Sequence, residues 1–305
     1  MAASLDATGP VALVGLGNMG TAVGERLLDA GAELFVYNRS AGRDEALVAR
    51  GAARLTSAGA ALQAADVCIL TLADDAALEA VALGGDGVLA AARPSTALIE
   101  MSTISVAASK RVGEAAADRG VGYLRAPFSG NPTAIRGGKA VIFVSGPADV
   151  AARCDPILRA ITPTVHNVGE GEQARVLKLA LQILIAGTTE LLSEAVVLGE
   201  AAGLDRKALL DVVNQSVVGS PFVEYKSEPL LRDDFTATFT TAMMMKDVDL
   251  VLDLARSVDV ELPVTEELRS LLDAACEGGH ADQDFMALVL ELKERSGART
   301  TTRNR

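Results

Sequence analysis

Between residues 11 and 168, short β-prone runs alternate with helical stretches, and beyond residue 169 the β-prone runs stop. The runs are VALVG (11–15), ELFVY (33–37), VCILTL (67–72), TALIEM (96–101), VGYLRA (121–126), AVIFVS (140–145) and TVHNV (164–168). Alternation of this kind demands strand–helix–strand units and a mainly parallel sheet. The stretches MGTAVGERLLDAG and VAASKRVGEAAADRG run into Gly31 and Gly120, where a left-handed residue ends a helix at no steric cost. The second half reads as all-α. A long apolar segment spans 171–202, a rod of about 45 Å at roughly 1.5 Å per residue, and further helices are expected at 206–216, 241–257, 263–277 and 283–295. The expected architecture is α/β: residues 1–168 form a doubly wound domain, residues 169–305 an all-α domain, and the long helix joins them. The polar tail GARTTTRNR is expected to be disordered.

Bulk properties exclude several classes. A net charge of −12 repels phosphate backbones, and with only 3% aromatic residues base stacking has few platforms, so nucleic acid is not an expected partner. No long window is both apolar and uncharged, and MAASLDATGP has neither a basic residue nor an apolar core, so neither a membrane span nor a leader peptide is expected. Cys68, Cys154 and Cys276 are odd in number and far apart, which fits a reducing cytoplasm. The only histidines are His166 and His280. A histidine metal site or a Ser-His-Asp triad is therefore not expected, and no metal is assigned.

The first β-prone run leads straight into Gly15-Leu16-Gly17-Asn18-Met19-Gly20, a G-x-G-x-x-G pattern opening a helix. In that setting the first glycine makes the tight turn, the second lets a pyrophosphate approach the backbone, and the third lets helix and strand pack closely. The free N–H groups at the helix start complete an anion seat. The first domain thus reads as a Rossmann-like dinucleotide-binding domain. The second run ends at Tyr37 and is followed by Asn38-Arg39-Ser40, with no acid to take a ribose 2′-hydroxyl. Arg39 instead suits a 2′-phosphate, with Asn38 and Ser40 as hydrogen-bonding neighbours and Arg43 close by, so the expected cofactor is NADP(H).

Other residues carry chemistry or packing. Lys178 stands between leucines in an apolar stretch, four residues before Gln182, so the two share one helix face. An ammonium and an amide placed so could address one oxygen, and desolvation would bring the lysine toward the working range of an acid/base catalyst. Asp74 is positioned to cap a helix, and Leu72 and Ala73 in the preceding loop are expected near the nicotinamide ribose. Met243, Met244 and Met245 read as core filler. Phe128, Phe222 and Phe239 either line an apolar pocket or pack between domains.

GLGNMG, EMSTIS (100–105), APFSGN (126–131), Lys178 in its helix and MMMKD (243–247) together resemble the β-hydroxyacid dehydrogenase family, over about 10 to 295. That family includes 3-hydroxyisobutyrate dehydrogenases and glyoxylate/succinic semialdehyde reductases, with imine reductases as a neighbouring branch. The resemblance implies that Ser102 and Thr103 donate hydrogen bonds to substrate or cofactor. It implies that Ser129, Gly130 and Asn131 hold the substrate carboxylate, and that Lys178 is the catalytic acid/base with Gln182 orienting the substrate. It also implies that Lys246, followed by Asp247, lies near the cofactor, and that the chain forms homodimers or homotetramers through its helical domain. Four positions depart from the family pattern: Glu100 stands where it has aspartate, Val106 where proline is common, Asn131 where it has glycine, and Gln182 where it has asparagine. All border the substrate pocket.

The reaction implied is reversible hydride transfer between NADP(H) and a small β-hydroxy acid or semialdehyde, with Lys178 protonating the carbonyl oxygen in reduction. Two alternatives stand beside it. An imine reductase would share the cofactor site, although that branch usually carries Asp or Tyr where this chain has Lys178. A non-catalytic NADP-binding module would keep the fold, although such relatives lack the lysine.

Overall fold

The structure, a computed structural model, describes residues 9–297. The N-terminal stretch read above for a leader, and the tail beyond Gly297, lie outside the described residues. The chain divides into two compact units, with the boundary between Lys178 and Leu179.

The first unit is built on a nine-stranded sheet. In chain order its elements are β1 (Val11–Val14), α1 (Asn18–Asp29), β2 (Leu34–Tyr37), α2 (Glu45–Val48), β3 (Ala53–Arg54), α3 (Ala61–Ala64), β4 (Val67–Leu70), α4 (Asp75–Leu83), β5 (Ala97–Glu100), α5 (Val106–Ala117), β6 (Gly122–Arg125), β7 (Phe128–Ser129), α6 (Pro132–Arg136), β8 (Val141–Ser145), α7 (Ala148–Ile161) and β9 (Thr164–Gly169). The strand order is β3-β2-β1-β4-β5-β6-β8-β7, with β9 beside β8. Pairing is parallel from β3 through β6, and again between β8 and β9. It is antiparallel where β8 meets β6 and β7.

The expected strands are all present, and the reason is visible in β1. Val11 and Leu13 face one layer with Leu27 and Ile157, while Ala12 and Val14 face the other with Leu62 and Leu78. All four β1 residues are buried, as a parallel strand covered on both faces must be. Gly31 and Gly120 adopt φ of 81° and 65° after α1 and α5. The two-residue strands β3 and β7 carry too short a pattern to be read from sequence. Phe128, on β7, packs into the core of this unit.

The long helix α8 (Gln173–Ala201) begins in the first unit and ends in the second. After it come α9 (Arg206–Gln215), α10 (Pro221–Leu231), α11 (Thr241–Ser257), α12 (Pro263–Ala275) and α13 (Leu288–Arg295). The sequence reading omits α10, which starts on Pro221 and carries Pro229 inside it. Pro221 is tolerated at the first helical position, and Ser220 caps the Val223 N–H. Phe222 stacks on Phe285 at 6.2 Å and Phe239 meets the same ring edge-on at 6.1 Å, so both belong to the core of the helical unit. Of the methionine run, Met244 is buried, Met245 packs against that core and Met243 is exposed.

By length and composition alone α8 is apolar enough to cross a membrane, although it holds no long uncharged window. Within the helical unit one side of it packs Ala186 into one cluster and Leu192, Val196 and Val197 into another. Buried Thr189 and Ser193 each return a hydrogen bond to the carbonyl four residues earlier, as hydroxyls on a packed helix do.

Candidate active site

The glycine loop has the shape its spacing predicts. Gly15 turns with φ of 94°, and a Cβ there would lie 2.2 Å from the Thr71 carbonyl oxygen. A Cβ on Gly20 would lie 2.0 Å from the Gly15 carbonyl oxygen and 2.3 Å from Thr71 Oγ1. Gly17 is the opposite case: a Cβ there meets nothing within 4 Å. Open space above Gly17, and an α1 N-terminus with no side-chain cap, leave a bare backbone seat with the sign a pyrophosphate needs. Asn18 is exposed at the helix start and Met19 is half-buried against the core. The residues present therefore fit a dinucleotide.

Asn38, expected beside the cofactor, is tied into the loop on both sides. Its Oδ1 accepts from the Leu16 N–H at 2.8 Å and its Nδ2 donates to the Ser40 carbonyl at 3.0 Å. These two bonds join the glycine loop to the end of β2. They also commit the Leu16 N–H inside the protein. Arg39 and Ser40 are exposed beside this bridge, and Arg39 has no ion-pair partner among the described residues.

A second group of loops converges through Ser102. The Ser102 hydroxyl accepts from the Leu72 N–H at 2.7 Å, which ties the loop preceding α4 to the loop following β5. Ala73 is exposed beside it, and Asp74 caps the Ala77 N–H as expected. Thr71 donates through its hydroxyl to the Gly15 carbonyl. Ser102 is buried and Thr103 half-buried. The Ser102 N–H donates to Glu100 Oε1 at 2.7 Å, and Glu100 Oε2 accepts from Arg175 on α8. Arg175 also donates to the Ser102 carbonyl. Both Glu100 and Arg175 are fully buried. Burial opposes the Arg175 charge, but Glu100, Tyr123 and Glu172 outweigh it and hold the guanidinium above the ordinary arginine range.

The start of α8 is anchored twice more. Ser145 accepts from the Ala174 N–H at 3.1 Å and donates to the Gly171 carbonyl at 2.7 Å, and Glu172 pairs with Arg125. These contacts explain why the first turns of α8 belong with the sheet. Lys178 follows Arg175 by three residues and is 8% exposed.

The turn expected to hold a carboxylate is formed by Ser129, Gly130 and Asn131. Ser129 is half-buried on β7, and Gly130 takes a φ of 143° that only glycine adopts readily. Asn131, however, caps α6: its Oδ1 accepts from the Ala134 N–H at 2.8 Å, ahead of Pro132. Oδ1 is thereby spent on a helix end, while a substrate carboxylate, itself an acceptor, would call on the Nδ2 donor. Asn followed by Pro was the available signal for that role.

In the helical unit, Gln182 is buried on α8 and its amide donates to Asp247 of α11. Asp247 is fully buried and its other oxygen lies 2.8 Å from Lys246 Nζ. Asp247 thus meets both the Lys246 ammonium beside it and the Gln182 amide, the latter a contact the sequence does not display because the two lie 65 residues apart. His166 is exposed on β9, and His280 contacts Gln283 at 2.8 Å. No cluster of potential metal ligands occurs among the described residues.

Comparison with known proteins agrees with this geometry. Residues 10–169 match the model of the NAD binding domain of 6-phosphogluconate dehydrogenase, and residues 172–292 that of the NAD-binding domain of NADP-dependent 3-hydroxyisobutyrate dehydrogenase. An uncharacterized oxidoreductase of Bacillus subtilis, YfjR, is 33% identical over 93% of this chain and 99% of its own. The 3-hydroxyisobutyrate dehydrogenase of Pseudomonas aeruginosa is 32% identical over 91% of this chain and 96% of its own. The structure of the Mycobacterium tuberculosis 3-hydroxyisobutyrate dehydrogenase with L-serine superposes with a TM-score of 0.84 at 28% identity, covering 93% of this chain and 99% of that one. With the glycine loop, the Ser102 loop and the helical unit in the family's order, the chain belongs to the NAD(P)-binding β-hydroxyacid dehydrogenase family, that of the 3-hydroxyisobutyrate dehydrogenases, and is an oxidoreductase of the CH–OH type.

Proposed function

We propose that the chain is an NADP-dependent oxidoreductase acting on a small β-hydroxy acid or its semialdehyde, with Lys178 as the general acid/base. The observation that carries this reading is Lys178 itself: a lysine held 8% exposed, one helical turn from an arginine clamped to the Ser102 loop. When bound, the nicotinamide supplies or accepts the hydride. In reduction the Lys178 ammonium gives its proton to the carbonyl oxygen, and in oxidation the neutral amine takes the hydroxyl proton. The ammonium also stabilises the negative charge developing on that oxygen. Thr103, Ser129 and the Gly130 N–H fix the substrate's polar end, and the Ser102 hydroxyl steadies the loop they address. The family resemblance assigns Gln182, whose amide donates to Asp247, to orienting the substrate, and Lys246 to the cofactor.

Arg39 supports the choice of NADP(H), because an exposed guanidinium, with no ion-pair partner among the described residues, stands where an acid would select NAD. The buried thiols of Cys68 and Cys154 suit a cytoplasmic protein; burial pushes the Cys154 thiol up to about 11. The partner of the helical unit is a second copy of the chain. Leu184, Leu191 and Leu198 are 65%, 68% and 72% exposed and recur every seventh residue along α8, the spacing of a helix seam. Sedimentation of Leu191→Glu as a monomer, against a dimeric or tetrameric wild type, tests that seam.

The reaction is tested with carboxylate semialdehydes and cyclic imines, each with NADPH and NADH. Semialdehydes are expected to turn over with NADPH preferred, and Arg39→Asp to remove the preference, a loss of about 1.5–3 kcal/mol for a charged hydrogen-bond partner. Turnover confined to cyclic imines would replace this reading with the imine reductase one.

A further inference from the structure

We propose that Arg175 is a positioning residue that sets the register of α8 against the Ser102 loop and so fixes where the Lys178 ammonium stands. The proposal rests on Lys178 being the proton donor. Its basis is a closed set of contacts. The guanidinium of Arg175 donates to Glu100 Oε2 with one nitrogen and to the Ser102 carbonyl with another. Glu100 Oε1 receives the Ser102 N–H at 2.7 Å. Arg175 and Glu100 therefore grip both backbone groups of Ser102, whose hydroxyl in turn receives the Leu72 N–H at 2.7 Å. Lys178 lies three residues along the same helix, hence on the same side as Arg175. A shift of α8 along its axis or about it would move Lys178 and break this grip together.

Stability alone does not account for the pair. A fully buried ion pair costs about as much in desolvation as it returns, and packed apolar side chains would serve a core equally well. Arg175 Nε is buried with no partner among the described residues, a further cost. What a forked, planar donor supplies is geometry: two parallel directions fixed at once, which neither lysine nor leucine gives. Glu100 belongs to the same device. One methylene longer than the aspartate of the family pattern, it reaches the Ser102 N–H with one oxygen and Arg175 with the other. Neither residue touches the reacting atoms in this account; each acts through the loop and the lysine.

The test is a cycle of variants read by kcat, KM, NADPH dissociation constant and thermal midpoint. Glu100→Asp and Arg175→Lys keep the charges and lose the geometry. They are expected to lower kcat by about tenfold to a hundredfold, as a displacement on the order of 1 Å does, with KM and NADPH affinity within about threefold of wild type. Arg175→Met placed on Lys178→Ala is expected to lower the residual kcat by less than about twofold, because residues acting as a unit do not multiply their effects. Multiplying effects in that background, or equal losses of NADPH affinity and kcat in Glu100→Asp, would overturn the proposal and leave Arg175 a packing residue. If Arg175→Met fails to fold, Glu100→Asp decides. Full turnover in Lys178→Ala alone is a separate outcome, which removes the acid/base reading itself.

Discussion

Asn38 Oδ1 receives the Leu16 N–H at 2.8 Å, so the residue after β2 holds the first turn of the glycine loop in place. The same side chain holds the Ser40 carbonyl. Asn38 thereby couples the pyrophosphate seat to the segment that displays Arg39. Asn38→Ala is expected to weaken NADPH binding about tenfold, a loss of roughly 1.4 kcal/mol, while leaving kcat at saturating NADPH within about twofold. Isothermal titration and steady-state kinetics check both halves. An unchanged dissociation constant would mean the loop holds its shape without the bridge.

Gly17 and Gly20 separate folding from binding. At Gly20 a Cβ would meet a backbone carbonyl at 2.0 Å, which cannot move without opening the turn. Gly20→Ala is expected to lower stability by about 1–3 kcal/mol, the cost of overpacking, and to abolish NADPH binding. At Gly17 a Cβ meets nothing within 4 Å, and its φ of −69° suits any residue. Gly17→Ala is expected to melt within about 2 °C of wild type, since it adds no internal contact. It should still lose NADPH affinity, because the methyl occupies the phosphates' approach. Thermal melts with and without NADPH distinguish the two variants.

Glu190 makes stability depend on pH. It is 8% exposed on α8, one of its oxygens has no partner among the described residues, and Glu194 follows one turn on. Burial first, and then Glu194, push its carboxyl up to about 7 against the opposing pull of Arg295. The folded pKa lies above the unfolded value, so the native state binds the extra proton. The stabilisation is complete below the ordinary carboxyl pKa of 4.5 and is lost as pH rises through about 7. Glu190→Gln is expected to exceed wild type in stability by on the order of 1–3 kcal/mol at about pH 8 and to match it at about pH 4.5. Urea midpoints at the two pH values measure this. A gap of equal size at both would assign the effect to packing.

Legibility in the sequence followed the range of the interaction. β1 and the glycine loop are adjacent in the chain, and the tight turn, the open approach and the close packing could all be read from three glycines. The Asp74 cap is likewise a local matter of one acid before a helical run. Asn131 was expected at the substrate on the resemblance alone, whereas the Pro132 beside it signals the helix start that its Oδ1 caps. The bridges that assemble the site were not legible at all. Glu100 and Arg175 are 75 residues apart, and Gln182 and Asp247 are 65 apart, and no periodicity links them. The order of the strands in the sheet, which brings the end of β5 near the start of α8, makes the first pair neighbours.

We propose that Lys178 carries the proton. This role is tested most directly by single-turnover oxidation of NADPH with a semialdehyde substrate, in wild type and in Lys178→Ala at matched NADPH occupancy. The variant is expected to bind NADPH with a dissociation constant within about threefold of wild type and to reduce the substrate about a hundredfold to ten-thousandfold more slowly, the range a positioned general acid supplies. Reduction at the wild-type rate by Lys178→Ala would contradict that role.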